Sequence, residues 1–345
     1  MSLKPRRQIA AWLLTACAMI VVIVIIGGAT RLTQSGLSIT DWEPIRGIIP
    51  PLTEDDWHHY FEAYRASPEY QKLNPGMSLD EFRTIFWWEY THRMVARLFG
   101  LVLVLPMIYF ALRRWLRGTD LIRAAALVVL TGAQAVLGWA MVQTGLDDEP
   151  YVSHFHLAAH LGVAMVIFAI MWWWALQLLD NREPSSAQPR SSLTTRWALG
   201  AFGLLVFVQS IWGGFVAGLD AGRIVTTFPK MGEDWIYPLV GDKSPLALDL
   251  VANPFTVQFI HRTLGVALLL FAVVLWVVDR LRDSHRRHRR AIAVVASITV
   301  LQVALGIATL VTGVPTALGV LHQVTGLVLF AATLWALHHH RPPTT

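Results

Sequence analysis

The chain has 345 residues, of which 54% are hydrophobic and only 15% charged, with 15 Trp, a formal charge of +5 and a mean hydropathy of +0.49. Soluble domains carry about 25% charged residues, so this composition excludes both an ordinary soluble enzyme and a disordered chain. The pI of 9.6 does not indicate nucleic acid, because the basic residues fall in short loops between apolar runs.

Eight apolar runs reach the roughly 20 residues needed to cross a ~30 Å hydrocarbon core. The first, 9–29, follows Lys4, Arg6 and Arg7 and lacks a small-residue cleavage site, so it reads as an uncleaved span. It holds Cys17, the sole cysteine, which rules out an internal disulfide. The loop 30–85 comes next. In it, Thr53-x-x-Asp56 predicts a short helix whose Trp57, Tyr60, Phe61 and Tyr64 stripe should lie along the membrane interface. Ser78-x-x-Glu81 predicts that the second span, 86–112, begins outside the bilayer near Leu79. Spans follow at 122–143, 152–178 and 196–217, then a second long loop at 218–254, then spans at 255–279, 291–312 and 317–338.

The connections after the second, fourth and sixth spans carry the arginines: Arg113, Arg114, Arg117 and Arg123; Arg182, Arg190 and Arg196; and Arg280 through Arg290. The other side carries Asp41, Glu43, Glu54, Asp55, Asp56, Asp147, Asp148, Glu149, Glu233 and Asp234. The positive-inside bias therefore puts both termini in the cytoplasm.

The chain also repeats itself. Gly27-Gly28 closes the first span and Gly213-Gly214 the fifth; Glu89-Tyr-Thr-His92-Arg93 matches Gln258-Phe-Ile-His261-Arg262. Gln134, Gly138 and Gly145 match Gln302, Gly306 and Gly313 at identical spacing, and His160 matches His322. The expected fold is thus all-α and integral to the membrane. Its eight transmembrane helices form two parallel four-helix bundles related by a pseudo-twofold axis, residues 1–180 and 181–345.

Of thirteen histidines, His58, His59, His285, His288 and His338 to His340 lie in loops or the tail and read as ordinary. His92, His160, His261 and His322 lie inside apolar spans, where an ionisable group is costly and usually functional. Pro254 and Pro315 precede His261 and His322 by seven residues, a depth of about 10 Å. All four are on even spans, so all four sit near the outer face, two per half. Two histidines on facing helices of a bundle suit the axial positions of one haem iron. Gly100, Gly162, Gly265 and Gly326 are placed to let a macrocycle approach, and Arg93 and Arg262 to meet propionates. His156 and His160 share a helix face and leave a different metal site open. Glu89, one turn before His92, has Gln258 as its counterpart, and only the carboxylate can exchange a proton. This asymmetry assigns reaction chemistry to the N-terminal half and a permanent haem to the C-terminal half. An electron-transfer cytochrome and a transporter are the rival classes.

At GGATRLTQSGLSITDW (27–42), EYTHR (89–93), AAHLG (158–162), GGFVAGLDAGRIVTTFPKMGEDW (213–235), FIHRTLG (259–265) and LHQVTG (321–326), the sequence resembles the heme A synthase family, over nearly its whole length. That family converts heme O to heme A for cytochrome oxidases. The resemblance implies successive hydroxylation of the porphyrin C8 methyl to a formyl group. It places substrate heme O between His92 and His160 with Glu89 beside the reacting carbon, and heme b between His261 and His322. It gives His154 and His156 no role. With no cysteine pair in the first outer loop, the chain resembles the cysteine-free subgroup. The implied setting is a bacterial plasma membrane. The implied partners are heme O synthase, cytochrome oxidase assembly factors and the lipid bilayer, with a homo-oligomer also compatible and no nucleic acid.

Overall fold

A computed structural model describes residues 3–43, 45–147, 150–180, 192–282 and 285–341. Asp148, Glu149, Arg182 and Arg190, used above for topology, lie outside the described residues. The helices are α1 (Leu3–Leu32), α2 (Glu54–Arg65), α3 (Pro68–Leu73), α4 (Leu79–Leu112), α5 (Thr119–Gln143), α6 (His154–Leu179), α7 (Leu193–Gly218), α8 (Leu246–Ala252), α9 (Pro254–Leu281), α10 (Arg286–Val311) and α11 (Thr316–His339). Among the described residues, eight of these are long and apolar enough to cross a membrane: α1, α4, α5, α6, α7, α9, α10 and α11. No strand accompanies them; a single bridge pairs Met231 with Asp234. The protein is an all-α, multi-span membrane protein.

Local chemistry sets the helix ends. Ser78 and Glu81 form a reciprocal capping box that opens α4 at Leu79, as the sequence predicts, with Glu81 Oε2 accepting from Ser78 N at 2.8 Å. Thr53 and Asp56 do the same for α2. Asn253 caps α9 with Pro254 in its first turn. Beyond the end of α10, Gly313 adopts a φ of 77°, the left-handed stop that glycine tolerates best.

The aromatic stripe of α2 is not laid along a membrane interface. Trp57 and Tyr64 are buried against Phe82 and Phe86 of α4, with Trp57 and Phe86 centroids 5.0 Å apart and Tyr64 and Phe82 5.3 Å apart. The reason is complementarity: Phe82 and Phe86, at i and i+4 before the apolar run proper, give α4 an aromatic face of its own. This small core, which also takes in Ile39, anchors the segment between α1 and α4. In the segment between α7 and α9 Asp249 organises the backbone, accepting from Lys243 N, Asn253 Nδ2 and Thr256 Oγ1.

Packing divides the chain into two compact units, Ala18–Ala164 and Met1–Cys17 with Met165–Thr345. In the latter, α7, α9, α10 and α11 close a four-membered ring in which each helix touches two neighbours. The second half of α6 joins it through Trp172, whose indole N–H donates to the Ala331 carbonyl at 3.0 Å. In the former, α2 and α5 pack on α4. There α1 is tied to α4 where Thr30 Oγ1 donates to Trp88 O at 3.3 Å.

Candidate functional site

The four membrane histidines share one local device. Each ring lies against a glycine of the helix before it in the bundle. A Cβ on Gly27 would stand 2.8 Å from His92 Nε2, one on Gly138 3.0 Å from His160 Cε1, one on Gly213 3.2 Å from His261 Cε1, and one on Gly306 2.8 Å from His322 Cε1. Carbon contacts are ordinarily about 3.5–4.0 Å, so any side chain there must displace the imidazole. These are the glycines that align in order across the two halves. Gly100 faces open space, while Gly265 and Gly326 make room for the amides of Gln209 and Gln302. Gln209 Nε2 donates to the His261 carbonyl at 2.8 Å, and Gln134 Nε2 to the His160 carbonyl at 2.8 Å, pinning the backbone beneath each ring.

In the C-terminal pair, the His261 and His322 rings face one another with centroids 6.3 Å apart and planes at 84°. Both Nδ1 atoms are buried without a hydrogen-bond partner. Each Nδ1 lies on the glycine side of its ring, 3.9 Å from a Cβ on Gly213 for His261 and 3.3 Å from one on Gly306 for His322. The ring-to-ring spacing fits a single metal bonded to each imidazole at about 2 Å. His160 Nδ1 is likewise buried and unpartnered, and so is Nδ1 of His156 a turn away.

Around the histidines the halves diverge at one side chain. Glu89, 3% exposed, is held by four donors: Ser38 Oγ at 2.7 Å and Ile39 N at 2.9 Å to Oε2, Arg93 Nε at 3.0 Å and Nη2 at 2.6 Å to Oε1. Arg93 also donates to the carbonyls of Ile39 and Asp41, leaving one of a guanidinium's five N–H groups for any further acceptor. At the equivalent place, Gln258 Nε2 donates to Val225 O at 3.0 Å, and Arg262 Nη2 donates to the same carbonyl at 2.6 Å. Val225 occupies the position in the second half that Ile39 occupies in the first, each following a left-handed residue, Asp220 or Gln34. One backbone residue therefore serves as donor to an acid in one half and only as acceptor from an amide in the other. Arg262 is otherwise engaged by the Thr227 and Lys230 carbonyls, and its Nε is buried without a partner.

The structure gathers Glu89, Arg93 and His92 on α4 with His160 on α6, and separately Gln258, His261 and Arg262 on α9 with His322 on α11. Sequence reasoning missed Ser38 and Ile39 as the loop partners of Glu89, and missed the pairing of glycine with histidine. The signal for the latter was present in the repeat, since all four glycines recur in register.

The fold and sites define an eight-span membrane protein built on two sets of glycine-backed, half-buried histidines. The family model of COX15-CtaA, described as cytochrome oxidase assembly protein, matches residues 10–334. The chain belongs to this family. It is 43% identical over 342 residues to the heme A synthase of Paramagnetospirillum magneticum, covering 96% of this chain and 93% of the relative. It is 40% identical over 338 residues to that of Nitrosospira multiformis, covering 97% and 94%. The heme A synthase COX15 of Bos taurus is 40% identical over 341 residues, covering 97% of this chain and 82% of the relative.

Proposed function

We propose that this membrane oxidoreductase converts heme O to heme A by successive hydroxylations that take the C8 methyl to a formyl group, for cytochrome oxidase biogenesis. The observation that carries the site assignment is the exchange of Glu89 for Gln258 three residues before a histidine–arginine pair that both halves share. The substrate lies between His92 and His160 in the half spanning 1–180. Haem b lies between His261 and His322 in the half spanning 181–345, where the 6.3 Å separation of the two ring centroids supports its fit. When bound, haem b supplies a one-electron redox centre.

The protein's own work is to orient and to handle protons. His92 and His160, their rings set against Gly27 and Gly138, hold the substrate. The Glu89 carboxylate receives a proton released from the reacting centre, and Ser38, Ile39 and Arg93 hold it in place to do so. Arg93 keeps one donor for a propionate, and Arg262 presents its Nε to one in the other half. The arginine-rich loops and both termini face the cytoplasm of a bacterial plasma membrane and the histidine sites lie toward its outer face, so heme O enters laterally from lipid. A heme O synthase upstream and oxidase assembly factors downstream are the partners this chemistry requires.

Co-expression with a heme O source, followed by mass analysis of the extracted pigments, tests the activity. Heme A is the expected product. Recovery of heme O unchanged, or of heme B alone, would favour an electron-transfer cytochrome instead.

A further inference from the structure

Glu69 lies on α3, in an outer loop where a glutamate has easy access to water, yet it is 4% exposed. Its Oε2 is buried without a hydrogen-bond partner. Its own short helix is capped at the start by Ser67 and closed by Asn74, so Glu69 is not its capping residue. Beside it stands Tyr64 of α2, fully buried, with its hydroxyl within hydrogen-bonding reach of the Glu69 carboxyl. Asn74 Nδ2 donates to Tyr64 Oη at 2.8 Å, which turns the tyrosine's own hydrogen toward Glu69. Two charged groups face Glu69 from other elements: Arg31 at the end of α1, which favours its anion, and Glu89 on α4, which favours its acid. Burial outweighs the favourable contacts from Tyr64 and Arg31 and pushes the carboxyl up to about 7. An acid with an unmet oxygen, in electrostatic contact with the carboxylate assigned to the reaction, is costly for a loop that needs only to fold.

We propose that Glu69 is the proton depot of the N-terminal site, taking up the proton that Glu89 gains during substrate oxidation and releasing it to outer water past Tyr64. This rests on the assignment of Glu89 made above. The step moves one proton and no electrons. An O–H bond on Glu89 breaks as one forms on Glu69 Oε2, with water carrying the proton between them, because every close contact of Glu89 is already taken by Ser38, Ile39 and Arg93. Glu89 returns to the anion that Arg93 holds, ready for the next hydroxylation. Glu69 touches no substrate in this scheme and acts only through Glu89.

Two measurements on the purified full-length protein test the proposal. Infrared titration should reveal a protonated carboxyl band that titrates near neutral pH and vanishes in Glu69→Gln; absence of such a band, or its survival in the variant, overturns the proposal. Heme O turnover should fall as pH drops below about 7 in the parent, because a protonated depot cannot accept. In Glu69→Gln turnover should fall by about a hundredfold at every pH and lose that limb, with heme O still binding and with Glu69→Asp restoring the limb. A parental rate and profile in Glu69→Gln, or loss of heme O binding, overturns it. Full activity in Glu89→Gln would instead overturn the assignment on which the depot depends, whatever the infrared band shows.

Discussion

Replacing His322 with Ala is expected to remove the b-type absorption of the purified protein while heme O remains bound. The two rings of the C-terminal pair are 6.3 Å apart with no hydrogen-bond partner at either Nδ1. Losing one ring leaves its partner facing an empty position in a low-dielectric interior, with no third His, Cys, Asp or Glu close enough among the described residues to form a metal cluster. A subtler variant makes the same point without touching a ligand. Gly306→Ala sets a methyl 2.8 Å from His322 Cε1, and the ring must swing. Retention of heme b should weaken by about 10–100-fold, the range seen when the support of a metal ligand is disturbed. Pyridine hemochrome ratios of heme B to protein read both variants. A parental ratio in His322→Ala would remove His322 from the haem b site. Heme O lost together with heme B would mean that the substitution had disrupted the bundle as a whole.

What the sequence made legible follows from what each feature needs. The spans depend on length and hydropathy alone: six of the eight expected runs fall wholly within helices, while 152–178 and 291–312 overrun theirs, His154–Leu179 and Arg286–Val311, by one or two residues at one end. Capping boxes need only four consecutive residues, so the starts of α2 and α4 were readable at Thr53 and Ser78. The α2 stripe was visible as a stripe, but its destination depended on Phe82 and Phe86, which belong to a helix that extends beyond its apolar run. The glycine and histidine pairs were written in the repeat, yet recognising them required knowing which helix faces which. That choice is made in three dimensions by helix rotation, at angles a periodic pattern does not fix in an almost uniformly apolar helix. Glu69 gave no sign at all. Amid the charged residues of 54–83 it reads as one more solvated acid, and only the folding of α2 and α3 onto α4 buries it.

Substitution of Glu89 by Gln is expected to lower heme A formation by about 10²–10⁴-fold, the range for loss of a positioned proton acceptor, with heme O still bound between His92 and His160. The chain contains its own comparison at Gln258. There the amide hydrogen meets the Val225 carbonyl, and Arg262 donates to that same oxygen. At position 89 the loop presents the Ile39 N–H and the Ser38 hydroxyl, both donors. A glutamine there can accept from them or from Arg93 through its single oxygen, and its NH₂ must then face another donor. The variant therefore loses the proton acceptor and loosens the Arg93 contact together, and a second substitution separates the two effects. Ser38→Ala removes one donor while keeping the carboxylate and its ion pair, so its cost should stay near tenfold, as for one hydrogen bond to a charged group at about 1.5 kcal/mol. Were Ser38→Ala as damaging as Glu89→Gln, the carboxylate would act chiefly by anchoring the loop. Placing the acid in the other half should not create a second reaction site. In Gln258→Glu the carboxylate would meet the Val225 carbonyl oxygen instead of an N–H. The expected result is weakened heme b binding with no gain in heme A, because the preceding loop offers this position a carbonyl where it offers Glu89 an N–H and a hydroxyl.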